Sequence, residues 1–183
     1  MLIVLYRVYL KLIHVKYGEK FLLKGLPFIY NRKGASITIG NNCIIKSSFL
    51  SNLVGLYSRT ILLTRLPGAS IDIGDNVGIS GATIYARSSI VIGRNTNIGG
   101  NVKILDNDFH PVDPAERLAD SKDAIGTLPI SIGENCFIGC NVLILKGSKI
   151  GNNCVVGAGA VVSGYFEDNC VIAGNPAKII KRV

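Results

Sequence analysis

The stretch Asp106-Asn107-Asp108-Phe109-His110-Pro111 holds the residues of this 183-residue chain best suited to chemistry. One of only two histidines follows two carboxylates at short range. Imidazole titrates near pH 6.5, so it can take up and return a proton at neutral pH. A carboxylate bonded to its Nδ1–H would leave Nε2 free as a base and stabilise the cation formed on proton transfer. Asp106 and Asp108 are the candidates, and either could instead cap a turn. Asp113 and Arg117 follow and could hold an acceptor or simply solvate the segment.

The cysteines offer less. Five is an odd number, and their spacing contains neither CxxC nor a Cys/His ligand set, which argues against a disulfide framework or a zinc site and for a reducing cytoplasm. No metal is expected.

Elements that could position His110 are read from a six-residue rhythm. Ile132, Ile138, Ile144, Ile150, Val156 and Val162 fall six apart, and a second row of small or apolar residues lies two positions before each, from Ile130 to Ala160. Ile73 and Ile79, then Ile92, Ile98 and Ile104, repeat the design with a one-residue slip near Tyr85–Ala86. A fragment appears at Ile37, Ile39, Cys43 and Ile45. No helix keeps one face at every sixth position, whereas strand positions two apart share a face. Gly and Asn after each apolar pair supply tight corners. The fold class is therefore all-β, a parallel β-helix whose inward rows stack into one core. Cys43, Cys136, Cys154 and Cys170 belong to those rows as packing residues, while Cys140 has the outward phase. The rhythm stops over about 106–128, so that segment is expected as an extruded loop carrying the histidine, stiffened by Pro111.

The rows, the sequence DNDFHP and the ending VIAGNPAKIIKRV together resemble the hexapeptide-repeat acyltransferases, and among them the sugar O-acetyltransferases of the maltose/galactoside and O-antigen type. The resemblance covers residues 70–183 well and 35–69 loosely. It implies a left-handed β-helix, a homotrimer with acyl-CoA in the groove between neighbouring prisms, and His110 as general base for a hydroxyl acceptor. It also implies contacts to acetyl-CoA, carried over by position: Cys140 and Ala158 to the pantetheine arm, Ser163 close by, Lys178 and Lys181 near the nucleotide phosphates. Ser80 and Ser88 stand where the galactoside-type enzymes carry an Asn and an acidic residue for the acceptor, so the chemistry carries over and the acceptor does not. The reading is an acetyl-CoA-dependent O-acetyltransferase acting on a saccharide of a cell-surface polymer or its precursor. Alternatives are N-acetylation of an amino sugar nucleotide and a non-catalytic structural β-helix. A zinc hydratase of this fold would need three histidines, and the chain has only His14 and His110.

Three segments are expected: 1–34 helical or irregular, 35–172 the β-helix with its loop, and 173–183 a C-terminal tail. Residues 46–69 fit the rhythm poorly and are expected as irregular coils with Arg59 and Arg65 outward. The net charge of +8 favours an anionic partner, although no nucleic-acid module is recognisable. In residues 2–15, Arg7, Lys11 and His14 fall on one face of an otherwise apolar helix. That helix either lies on an anionic membrane or packs against its own β-helix or a trimer neighbour. The N-terminus lacks the features of a secretory signal and is too short and charged for a transmembrane span.

Overall fold

A computed structural model describes residues 2–183. Helix α1 (Leu2–Leu12) is followed by six coils, each a triangle of short strands, and a partial seventh. The first coil is β1 (Val15–Tyr17), β2 (Leu22–Lys24) and β3 (Phe28–Asn31); the second is β4 (Ser36–Ile39), β5 (Ile44–Lys46) and β6 (Ile61–Thr64). The third is β7 (Ser70–Ile73), β8 (Gly78–Ser80) and β9 (Thr83–Ala86). The fourth, β10 (Ser89–Ile92), β11 (Asn97–Ile98) and β12 (Lys103–Leu105), ends in the loop that contains α2 (Pro114–Leu118). Above it lie β13 (Ile130–Ile132), β14 (Phe137–Ile138) and β15 (Leu143–Leu145), then β16 (Lys149–Ile150), β17 (Val155–Val156) and β18 (Val161–Val162). The last coil is β19 (Tyr165–Phe166) and β20 (Cys170–Gly174), and β21 (Ala177–Arg182) turns back antiparallel along β20.

Every third strand stacks in parallel, giving three flat faces: the first runs from β1 to β19, the second from β2 to β21 and the third from β3 to β18. This is the expected left-handed β-helix. Ile132 pairs with Ile150 and Ile138 with Val156, a full coil of three hexapeptides apart. The inward rows are buried from Val15 to Ile172, Cys43, Cys136, Cys154 and Cys170 among them. Each buried Ile or Val contributes about 1.5–3 kcal/mol relative to exposure. Burial also pushes the Cys136 thiol up to about 11 and those of Cys43 and Cys154 upward, because the thiolate cannot be solvated there. At the edge between the first and second faces, Asn42, Asn76, Asn95, Asn135, Asn153 and Asn169 all adopt positive φ. Asn tolerates that conformation, and here its amide repays it. Asn135 Nδ2 donates to Asn153 Oδ1 and Asn153 Nδ2 to Asn169 Oδ1, both at 2.9 Å, a ladder along the corner.

Two expected boundaries move. The β-helix begins at Val15, not at 35: β1, β2 and β3 pair in register with β4, β5 and β6 as a complete first coil. Residues 173–183 are not a free tail, because β21 extends the second face. Between β5 and β6, residues 47–60 leave the coil as a loop, with Arg59 and Arg65 exposed as expected.

Helix α1 closes the lower end of the prism. Leu10 is fully buried, Tyr6 OH donates to Pro27 O and Tyr9 OH to Ile29 O, both at 2.7 Å. Arg7 donates to Phe21 O at 2.8 Å and lies over the Tyr17 ring. The expected basic stripe is therefore broken: Arg7 is turned inward, and His14 lies beyond the helix at positive φ, its amide bonded to Lys11 O at 3.0 Å.

Candidate active site

The slip in the rhythm explains the first site residue. Ile73 pairs with Ile92, one residue more than three hexapeptides, and the surplus falls at the corner after β9. There the Arg87 and Ser88 amides turn inward. The fully buried Asp106 carboxylate accepts both, Arg87 N at 2.8 Å and Ser88 N at 2.6 Å, together with Asn107 Nδ2 at 3.1 Å. Burial raises its pKa while the two amides pull the other way. This carboxylate is occupied by backbone and makes no bond to the imidazole: of the roles open to Asp106, orienting His110 or holding a turn, the corner takes it. Ser88 likewise serves this corner through its amide.

From Asp106 the chain enters the loop. Its foot is pinched by Leu128 N donating to Asp106 O at 2.9 Å, Asp108 N to Gly126 O at 3.0 Å, and a bridge between Asn107 and Thr127. Asp108 is ion-paired to Lys146, which follows β15 one coil above. A Cβ on Gly126 would stand 2.5 Å from Asp108 Oδ2, so a side chain there would push the carboxylate of this pair aside. Phe109 takes positive φ, donates its amide to Asn107 Oδ1 at 2.9 Å and packs its ring 4.9 Å from that of Tyr85. The His110 amide bonds Asp108 O at 2.7 Å, and Pro111 is buried immediately after. These contacts fix the backbone on both sides of His110 and leave its side chain exposed. Among the described residues its imidazole has no hydrogen-bond partner, and the Asp108 carboxylate serves Lys146 instead.

The rest of the loop is held by its own groups. Asp113 accepts the Ala115 and Glu116 amides at 2.8 and 3.0 Å as the N-cap of α2, and Arg117 donates to Pro111 O and Val112 O. Arg87 reaches up to Lys122 O at 3.1 Å. Both amides use Asp113 Oδ1, so the exposed residue keeps Oδ2 without a partner among the described residues.

The remaining expected residues divide between two edges of the prism. Ser163 follows β18 on the edge between the third and first faces, the edge of His110, Asp106 and Lys146. Cys140 and Ala158 stack on the edge between the second and third faces, joined by Gly159 N donating to Cys140 O at 2.9 Å. Lys178 pairs with Ala173 beside that edge, and Lys181 with Val171 farther along the same face. The amides of Cys140 and Ala158 donate to nothing among the described residues, leaving two free donors on one strip. Below them, nearly buried Ser80 lines a groove of about 390 Å³ with Lys46, Gly99, Asn97 and Phe137. Strands of the third face are two to four residues long, so at about 3.3 Å per residue roughly 10 Å separates the two edges within one chain.

Two features escaped sequence reasoning. Lys146 is one of twenty basic residues, and nothing in its spacing marks a partner in the loop. The loop at 47–60 lies along the Cys140 edge: Asn101 donates to Gly55 O and accepts from Tyr57 N, both at 2.8 Å. Its exposed Phe49, Leu50, Leu53 and Tyr57 wall that edge from below. The poor fit of residues 46–69 to the rhythm was visible; the path of this loop along the Cys140 edge was not.

The family described as Bacterial transferase hexapeptide (six repeats) matches residues 129–164. "Putative lipopolysaccharide biosynthesis O-acetyl transferase WbbJ" of Escherichia coli (strain K12) is 38% identical over 159 residues, 84% of this chain and 75% of that protein. Galactoside O-acetyltransferase of Lactococcus lactis subsp. lactis (strain IL1403) is 30% identical over 146 residues, covering 79% of this chain and 62% of the relative. Among solved structures, an N-acyltransferase of Bacillus cereus in complex with dTDP-4-amino-4,6-dideoxyglucose and coenzyme A superposes with a TM-score of 0.73 at 23% identity. That match covers 96% of this chain and 88% of the other. With the WbbJ relative matched over three quarters of its length, the rows and corners traced above place this chain in the hexapeptide-repeat transferase family, as an acyltransferase.

Proposed function

We propose that the protein transfers an acetyl group from acetyl-CoA to a saccharide hydroxyl, with His110 as general base. The observation that carries this is the tight turn at Phe109, which presents an exposed imidazole, without a partner among the described residues, from a loop locked at its foot. A sugar hydroxyl is a poor nucleophile at neutral pH, so a base is needed as its oxygen attacks the thioester carbonyl. The imidazole takes the hydroxyl proton, the tetrahedral intermediate collapses with cleavage of the C–S bond, and the imidazolium returns the proton to the departing thiolate. The unpaired Cys140 and Ala158 amides suit the carbonyls of a pantetheine arm, and Lys178, with Lys181 beyond it, suits phosphates.

Two edges about 10 Å apart suggest how the pieces meet. In a homotrimer of parallel prisms, the His110 edge of one chain faces the Cys140 edge of the next, so each site is shared by two chains. Free cysteines suit a reducing compartment, and the cytoplasm supplies acetyl-CoA. Relatives named as O-acetyltransferases favour a hydroxyl acceptor.

The test is thiol release from acetyl-CoA across sugars, nucleotide sugars and nucleotide amino sugars, with wild type and His110→Ala. Acceptor-dependent release lowered about 10²–10⁴-fold in the variant is expected. An unaltered rate removes His110 from the mechanism, release with amino sugars alone replaces the hydroxyl acceptor by an amine, and absence of both release and CoA binding overturns acyl transfer.

A further inference from the structure

The basic charge is not spread over the molecule. Residues 1–35 carry Arg7, Lys11, Lys16, Lys20, Lys24, Arg32 and Lys33 against Glu19 alone, a net +6 of the chain's +8. The remaining coils hold 13 basic and 11 acidic residues. Lys16 projects from β1, Lys20 from the following corner, Lys24 from β2, and Arg32 and Lys33 from the corner after β3, all exposed. They project from the first and second faces of the lowest coil and from two of its corners.

Across the end of that coil lies α1, whose two sides are both apolar. The inner side is spent on the coil through Tyr6 and Leu10. On the outer side Val4, Leu5, Val8 and Leu12 are 51–73% exposed, and no described side chain covers them. Positions 4, 8 and 12 recur at one helical turn, with 5 beside them, so they form one stripe parallel to the base. Leu22 and Phe28, on the flanks of the first coil, are also about half exposed.

We propose that this end of the solenoid docks on an anionic lipid surface, with α1 lying in the interface. An apolar stripe enters the headgroup–acyl boundary, while the surrounding lysines and arginines meet lipid phosphates. A free polyanion would use the basic residues and leave the stripe in water; an uncharged apolar partner would leave the basic residues unused. Only a surface that is apolar within and anionic outside takes both. No helix among the described residues is long and apolar enough to cross a membrane, so the contact is peripheral. The surface is separate from both edges described above, and the inference does not rest on acyl transfer.

The test is co-sedimentation of the intact protein with vesicles of phosphatidylcholine alone and vesicles in which part of it is replaced by phosphatidylglycerol. Binding to the anionic vesicles only is expected. The combined Val4→Ser, Val8→Ser, Leu12→Ser variant, which touches exposed positions, should keep its melting temperature and fall to the phosphatidylcholine level. So should Lys16→Glu combined with Lys24→Glu. Failure of wild type to sediment at low ionic strength overturns the proposal. So does binding that survives the serine variant, since charge alone then accounts for it. An assembly of twice the expected size in sedimentation velocity, dispersed by the serine substitutions, would assign the stripe to a second copy of the chain instead.

Discussion

Lys146 is ion-paired to Asp108 across the foot of the loop that carries His110, although the two residues stand 38 apart in sequence. Their side chains are each about a quarter exposed, so the pair is neither a solvated surface contact nor a fully desolvated one. It ties the fourth coil's loop to the fifth coil's body, and His110 hangs from the main chain of Asp108.

Lys146→Met should therefore loosen the loop while keeping most of the aliphatic stem. A destabilisation of about 1–3 kcal/mol is expected, between the values for exposed and buried pairs. Protease cleavage within residues 109–125 should quicken and turnover should fall, with the apparent KM for acetyl-CoA unchanged. Unchanged melting, proteolysis and turnover would make the pair incidental.

Lys178→Ala should act on the other substrate. Loss of one charge-assisted contact, about 1.5–3 kcal/mol, raises the apparent KM for acetyl-CoA about tenfold or more and leaves turnover at saturation nearly intact. Because His110 and Lys178 belong to different edges, a co-assembled mixture of His110→Ala and Lys178→Ala chains should contain some sites with both residues intact. Activity above the sum of the two variants measured separately is the expected result; simple additivity would place each site within one chain.

Asp106→Ala is expected to cost stability first. The substitution strands the Arg87 and Ser88 amides in a buried corner, at about 1–3 kcal/mol each. Thermal melting should fall by roughly 5–15 °C for a chain of this size. A variant that melts like wild type but loses turnover would return Asp106 to the chemistry.

Four of the five thiols are buried, so maleimide at neutral pH should modify Cys140 alone in the native protein and all five after denaturation. Bound CoA should protect Cys140. The same burial sets a pH dependence. Cys136 titrates at about 11 when folded and near 8.5 when exposed, so its neutral form stabilises the fold below about pH 8.5, and that contribution is lost as pH rises through 11. Cys43 and Cys154 shift in the same direction. Thermal melts at about pH 8 and about pH 11 should show the loss, diminished in Cys136→Ala.

How much of this was legible beforehand depended on the kind of residue. The inward rows were readable because Ile and Val recur at a period that only a coil of strands satisfies. The first coil was passed over, although Phe21 with Leu23 and Pro27 with Ile29 keep the same spacing, because Phe and Pro stand where other coils use Val, Ala, Thr or Cys. The break at 106 marked the loop and its histidine. The tasks of the two carboxylates were not readable. Asp106 is bound by amides a coil below and Asp108 by a lysine a coil above, and such pairings exist only once the coils are stacked.

The side chains that fasten α1 to the first coil have one more effect. A stack of parallel strands ends in a row of unpaired amides and carbonyls, which is a template for further strands. Tyr6, Tyr9 and Arg7 occupy the Pro27, Ile29 and Phe21 carbonyls at the lower end, and β21 covers β20 with an antiparallel strand bearing Lys178, Lys181 and Arg182. A solenoid left open there could grow into a fibre by adding copies of itself; here a helix below and, on the second face, a charged reversed strand above stand in the way.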